Sequence, residues 1–201
     1  MRVTRTMAER DRVLRRTWRA MTVPEGFRAE IIDGSIVLSP MGDRRHAVLA
    51  NRLRNALTEH LANGPWAAYM AGTVVSGREL YMPDVFVAPD DLDHVGDADG
   101  IGALASGVVL VAEVVCPERP AGERDRKRRA YARAGIGAYV IVDDSDGDGV
   151  VTVLGAPNVA GGTYGLETRA AYGVPVGVAG GPLKGFVVGA DVTVRRVPGG
   201  G

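Results

Sequence analysis

A carboxylate stands in the middle of a segment that is otherwise apolar. The stretch VVLVAEVVCP, residues 108–117, has the length and β-branched content of a strand buried on both faces, and Glu113 sits at its centre. An ionised group among valines is costly unless a partner charge or a metal ion compensates it. Asp84 poses the same problem. It follows Pro83 and precedes the apolar run Val85, Phe86 and Val87. The fold has to solve both problems.

The rest of the chain supplies the elements around these strands. Residues 1–20 read as a charged helix with Met7, Val13, Leu14 and Trp18 as a loose apolar stripe. FRAEIIDGSIVLSP has two short apolar runs about Asp33-Gly34, the signal of a tight hairpin. In GDRRHAVLANRLRNALTEHLANG, Val48, Leu49, Leu53, Ala56, Leu57 and Leu61 recur at helical spacing, Asp43 is placed to cap the start, and Gly64-Pro65 ends the helix. WAAYMAGTVVSG and YMPDVFVAP are expected strands, followed by a polar loop over about residues 90–107 and the Glu113 strand. A second helix spans residues 123–134 and closes at Gly135. AYVIVDD and VVTVLG form a hairpin about SDGDG, and TYGLETRAAY and GFVVGADVTV are the last expected strands. The central order is helix, strand, strand, strand, helix, strand, which implies an α/β fold with a mixed sheet flanked by helices. The expected organisation is a helical arm over residues 1–20, a single domain over 21–196 and a flexible tail over 197–201.

Two acids at strand positions, joined through one long loop, can converge on a divalent cation, because hard cations such as Mg²⁺ prefer carboxylate oxygens. A third residue joins them. The chain meets nearly all its needs for cations with arginine, and Lys127 and Lys184 are its only lysines. Lys184 sits in the turn-like GGPLKGF, whereas Lys127 lies on the helix that follows the Glu113 strand. A compact ammonium does chemistry that guanidinium does poorly. If that helix folds back along the sheet, acid, acid and lysine make an arrangement for phosphodiester hydrolysis. A lysine kept for chemistry is expected to contribute little to stability.

Composition narrows the partners. Lys plus Arg equals Asp plus Glu at 24 each, so no global basic field advertises bulk nucleic-acid binding. Arginines do crowd RDRVLRRTWR and RPAGERDRKRR, where a solvated helix face and phosphate contacts are both open readings. Cys116 is the single cysteine, which excludes an intramolecular disulfide and reads as a small buried residue. With no apolar run long enough to span a bilayer, a soluble cytoplasmic protein with no membrane partner is expected.

MPDVFV, LVAEVVCP and KRRAYARAGIGAYVIVD together resemble the Uma-type restriction endonucleases, a bacterial family within the PD-(D/E)XK nuclease superfamily, and FRAEIIDGSIVLSP and the helix near His46 fit its N-terminal half. The similarity covers roughly residues 24–143; the C-terminal strands match in character only. The resemblance implies a restriction-endonuclease-like core, α-β-β-β-α-β, with an N-terminal hairpin and extra C-terminal strands. It makes Asp84 and Glu113 the paired acids, which with the backbone carbonyl of Val114 would hold Mg²⁺ or a substituting Mn²⁺. The superfamily lysine stands two residues after the second acid, where this chain has Val115, and Lys127 on the next helix takes its place. Glu30 matches an acidic position of the hairpin and becomes a supporting site residue, and the family's Ser-Pro is Cys116-Pro117 here. Double-stranded DNA is the implied partner. Trp18 and the N-terminal helix offer a surface for a homodimer.

Plainer readings compete. Glu113 can pair with an arginine such as Arg124 or Arg128, and Asp84 can bond a nearby backbone amide. His46 reads as a polar packing residue, with His60 and His94 too scattered to complete a zinc site. DSDGDG, residues 144–149, imitates the start of a calcium loop but has Gly155 where the twelfth position requires glutamate, and reads as a hairpin turn. Two further function classes stand beside the nuclease: a nuclease-derived binding or interaction module that no longer cleaves, and a carboxylate-metal enzyme acting on a small phosphate ester.

Overall fold

A computed structural model describes residues 6–115 and 122–193; Cys116, Pro117, Pro120 and the 197–201 tail lie outside them. The N-terminal helix α1 (Met7–Ala20) starts at a capping box between Thr6 and Glu9. Its Leu14 and Trp18 pack on Ile31, Val75 and Leu80 of the same chain, and the Trp18 indole N–H donates to the Ala29 carbonyl at 2.8 Å. Met7 is exposed, so the apolar stripe is shorter than the sequence suggests.

Strands β1 (Phe27–Ile32) and β2 (Ser35–Pro40) form the expected antiparallel hairpin. Asp33 and Gly34 both take positive φ, 52° and 69°, the conformation for which an Asp-Gly turn is suited. Asp43 then caps α2 (Arg44–Leu61) by accepting the His46 N–H at 2.8 Å. The buried face of α2 carries His46, Leu49, Ala50, Leu53, Leu57 and Leu61. Val48, expected on that stripe, is exposed, and His46 takes the buried place at its N-terminal end.

Strand β3 (Trp66–Met70) is followed by β4 (Val74–Ser76), β5 (Glu79–Tyr81), β6 (Val85–Pro89), β7 (Ala103–Leu104) and β8 (Leu110–Val115). Helix α3 (Glu123–Arg133) leads to β9 (Ala138–Asp143), β10 (Val150–Asn158) and β11 (Thr163–Ala171), and the described chain ends with β12 (Val176–Gly177), β13 (Val187–Val188) and α4 (Ala190–Thr193). One sheet has six strands in the order β11-β10-β9-β8-β6-β3, and a second has five in the order β2-β1-β5-β4-β7. In the larger sheet β8 and β9 are parallel, joined through α3, and the other neighbours are antiparallel. Following the chain, α2, β3, β6, β8, α3 and β9 give the expected α-β-β-β-α-β order. WAAYMAGTVVSG divides between the two sheets, because the chain turns at Ala71, where φ is 57°, and at Gly72, against which the Phe86 ring packs.

The sheet alternates as a two-faced layer must. Leu110, Ala112 and Val114 of β8 belong to the core beneath α2, whereas Val111 belongs to the core with Tyr131 of α3. Glu113 shares the parity of Val111. The strand's one charge therefore faces α3 and the β1-β2 hairpin.

The last expected strand is corrected. Among the described residues GFVVGADVTV pairs only over Val187–Val188, after which the Gly189 carbonyl accepts the Val192 and Thr193 amides and the chain turns into α4. Val192 is thereby buried in the core that includes Leu49, Leu53 and Leu57 of α2, a burial that outweighs the β preference of its valines.

Candidate active site

The antiparallel pairing of Val85 with Ala112 brings Asp84, one residue before β6, to the end of the ladder beside Glu113 of β8. Asp84 Oδ2 accepts the Val114 amide at 2.8 Å, which ties the two strands together at this point. Val114, whose carbonyl is the expected metal ligand, meets Asp84 through its N–H.

Helix α3 carries the second layer. Glu123, Lys127 and Tyr131 follow one another at four-residue spacing along its buried face. The Lys127 ammonium lies 2.7 Å from Glu113 Oε1 and 3.1 Å from Glu30 Oε2. The Tyr131 hydroxyl donates to the same Glu113 Oε1 at 2.6 Å. Glu30 comes from β1, and its other oxygen accepts the Met82 amide at 2.7 Å. Lys127 and Glu113 are each 1% exposed and Glu30 is wholly buried, and removing one partner from a buried pair is costly, so burial argues that Lys127 supports stability as well as chemistry.

Arg28, two residues before Glu30 on β1, completes the cluster. Its Nη1 donates to Asp84 Oδ1 at 2.8 Å and to the Met82 carbonyl at 2.9 Å, while Nη2 donates to Glu113 Oε2 at 3.1 Å. One guanidinium thus spans both acids. The arginine on Glu113 belongs to the hairpin, whereas Arg124 pairs with Asp143 and Arg128 with Glu167, each at 2.7 Å. From the α2 side, His46 Nε2 lies 3.1 Å from Asp84 Oδ1. Gly42 makes this possible: a Cβ there would collide with the imidazole ring.

The electrostatics follow from burial and neighbours. Burial opposes the charge on Arg28, but Glu113, Asp84 and Glu30 outweigh it and hold its pKa above the usual guanidinium range. Burial and then Glu113 push the Tyr131 hydroxyl well above the ordinary phenol value, so it stays a donor.

The structure therefore brings Asp84, Glu113, Lys127 and Glu30 together, and adds Arg28, Tyr131 and His46. Tyr131 has a sequence signal in its four-residue spacing from Lys127, and Arg28 has one in its two-residue spacing from Glu30. His60 packs near Phe186 and His94 pairs with Asp91, both away from the cluster. DSDGDG is the β9-β10 turn, with Asp144 paired to Arg45 and Asp146 to Arg169.

A cleft of about 240 Å³ opens onto the cluster, with Arg28, His46 and Asp84 on its polar side and Met41, Met70 and Met82 among its apolar walls. Among the described residues, no group of three or more His, Cys, Asp and Glu side chains converges as a metal cage. The donor chemistry of Asp84 and Glu113 nonetheless suits a hard divalent cation, since two carboxylate oxygens already share one cation, the Arg28 guanidinium.

A family profile named Uma2, described as "Putative restriction endonuclease", matches residues 16–165. Among solved structures, the crystal structure of a "putative nuclease belonging to DUF820" from Anabaena variabilis ATCC 29413 superposes with a TM-score of 0.61 at 15% identity, covering 79% of this chain and 85% of that one. That likeness is one of fold, and it makes the six-stranded core restriction-endonuclease-like. Comparison with curated proteins gave no match.

Proposed function

The chain belongs to the Uma2 family, and from that membership together with its buried acid cluster we propose that it is a metal-dependent endonuclease hydrolysing nucleic-acid phosphodiester bonds, with double-stranded DNA as its substrate. The observation that carries the reading is the pairing of Asp84 and Glu113 with one cationic group, the Arg28 guanidinium, with Lys127 at 2.7 Å from Glu113.

Asp84 and Glu113, with the Val114 carbonyl, would hold Mg²⁺ or Mn²⁺. A bound cation would supply Lewis acidity at the phosphate and a lowered pKa for the attacking water. The chain's own residues do the rest. Glu113 and Glu30 fix the Lys127 ammonium at one point, from which it orients a nucleophile or stabilises charge developing on the phosphate. Tyr131 holds Glu113 in one rotamer through its hydroxyl, and Glu30, anchored on the Met82 amide, keeps Lys127 from turning away. His46 and the Val114 amide do the same for Asp84. Cleavage of both strands of a duplex would call for two copies of the chain. Because Trp18 packs on its own chain, the dimer contact is proposed for another part of α1. Among the described residues no helix is long and apolar enough to cross a membrane, and a cytoplasmic site of action is part of the proposal.

One observation favours a second reading, a module that binds nucleic acid without cutting it: Arg28 already neutralises both acids. Incubation of the purified chain with plasmid DNA, with and without Mg²⁺ or Mn²⁺, separates the two. Products that vanish on chelation support the nuclease, and binding without products in any metal supports the module.

A further inference from the structure

Arg28 stands where the shared cation of the two acids belongs. Its two terminal nitrogens are divided between them, at 2.8 Å from Asp84 and 3.1 Å from Glu113. A divalent cation bound to the same carboxylate oxygens and a guanidinium bridging them cannot occupy that place together. We infer that Arg28 is an internal counter-ion, that divalent metal enters this site by displacing it, and that the released guanidinium becomes a ligand for substrate phosphate.

Three features carry the inference. The first is charge. With Arg28 withdrawn, the Lys127 ammonium and one divalent cation match the three carboxylates of Glu30, Asp84 and Glu113; with Arg28 retained beside the metal, these groups by themselves would carry one excess positive charge, which low-dielectric surroundings penalise. The second is satisfaction. Arg28 Nε is buried without a hydrogen bond, 3.8 Å from a Glu30 Oε2 that the Lys127 ammonium already pairs at 3.1 Å, so the guanidinium is not fully bonded where it lies. The third is access. Arg28 lines the open cleft beside His46 and Asp84, so its fork can leave the acids without crossing the core. A planar guanidinium matches two phosphate oxygens at once, which gives it a destination when a phosphodiester occupies the cleft.

The consequence is coupling. Metal alone has to expel a cation paired with both acids and give it nothing in return, whereas metal arriving with a phosphodiester hands that cation a new anion, so the two ligands bind with mutual reinforcement. The phosphate half of the inference rests on the proposed nuclease reading, and the metal half does not.

Calorimetric Mn²⁺ titration of the full chain and of its Arg28→Ala and Arg28→Lys variants tests the exchange without any need for turnover. Arg28→Ala is expected to bind Mn²⁺ about ten-fold more tightly than wild type, and Arg28→Lys to fall between them, because one ammonium covers one acid at a time. Arg28→Lys keeps the test decisive if Arg28→Ala does not fold without metal. The same titrations with Ca²⁺ and a short DNA duplex read the coupling: the duplex should tighten cation binding to wild type about ten-fold and to the Arg28 variants far less. Mn²⁺ affinity in the folded variants equal to or weaker than wild type overturns the inference, as does an equal gain from duplex in all three proteins. Tighter Mn²⁺ binding by the variants with no duplex binding by any protein leaves the exchange standing and removes the nuclease reading.

Discussion

The Lys127 ammonium lies 2.7 Å from Glu113 Oε1 across the boundary between a helix and a strand, with both side chains almost wholly buried. Removing the lysine leaves Glu113 and the wholly buried Glu30 with less positive charge than they need. Lys127→Ala is therefore expected to lose activity and also about 3–5 kcal/mol of stability, the usual cost of breaking a buried pair from one side. Lys127→Arg should also be largely inactive, since a planar fork cannot occupy the point an ammonium fills. A urea-denaturation cycle of Lys127→Ala, Glu113→Gln and the double variant checks this: the double variant should lose clearly less than the sum of the singles. Additive losses would mean that the two groups do not sustain each other.

Gly42 and His46 form a second pair whose relationship is steric. Because a Cβ at Gly42 would collide with the imidazole, Gly42→Ala should push His46 off Asp84. The expected cost is about 1–3 kcal/mol, as for other overpacked sites. In a His46→Ala background the same Gly42→Ala change should cost almost nothing. An equal cost in both backgrounds would place the strain elsewhere.

These two clusters differ in how far they can be read from the chain alone. Glu113 announces itself, since a charge in a valine strand demands a reason. Lys127 does so by being a lysine in a chain that otherwise uses arginine, and the hairpin by its Asp-Gly turn. Arg28 carries only a faint mark, its two-residue spacing from Glu30. One arginine on a strand of an arginine-rich chain looks like any other. Its contacts with Asp84 and Glu113 span 56 and 85 residues, and exist only because the five-stranded sheet lays its hairpin against the end of the six-stranded one. His46 is legible as a polar packing residue, and it is buried on the stripe of α2, but its contact with Asp84, distant along the chain, is set by long-range packing. Local pattern reports which residues are out of place, and long-range packing decides what they meet.

Tyr81, Tyr131 and Tyr164 are buried, and burial raises the pKa of each; Glu113 adds to it at Tyr131. A phenol whose folded pKa lies above its unfolded value of about 10 favours the folded state fully below that pH. Above it, the unfolded chain releases protons that the folded chain retains, so stability falls as pH rises, by up to about 1.4 kcal/mol per pH unit for each tyrosine. Urea midpoints should thus be insensitive to these groups from neutral pH to about 10 and drop steeply beyond. Tyr131→Phe should shallow that drop, while costing about 1.5–3 kcal/mol at neutral pH through the lost donor to Glu113. An unchanged alkaline slope in Tyr131→Phe would show that its phenol ionises in the folded chain.

The last expectation separates an enzyme from a binding module. Asp84→Asn and Glu113→Gln keep the size of each side chain but remove a negative charge beside Arg28, which leaves the guanidinium less tightly held and the cleft more positive. If the acids serve metal-dependent hydrolysis, both variants lose turnover of plasmid, linear duplex, single-stranded DNA or RNA in Mg²⁺ or Mn²⁺, yet retain or gain affinity for the polyanion. Ca²⁺ should permit binding by the wild type with little cleavage. If the chain only binds, the wild type gives no products with any of these substrates, its affinity does not depend on the cation, and the two substitutions leave it unchanged or strengthen it. Confirmed metal binding by the wild type, with no product from any polymer, would direct the search to small phosphate esters, for which the two acids and Lys127 would serve equally well and the cleft walls of Met41, Met70 and Met82 would set the size limit.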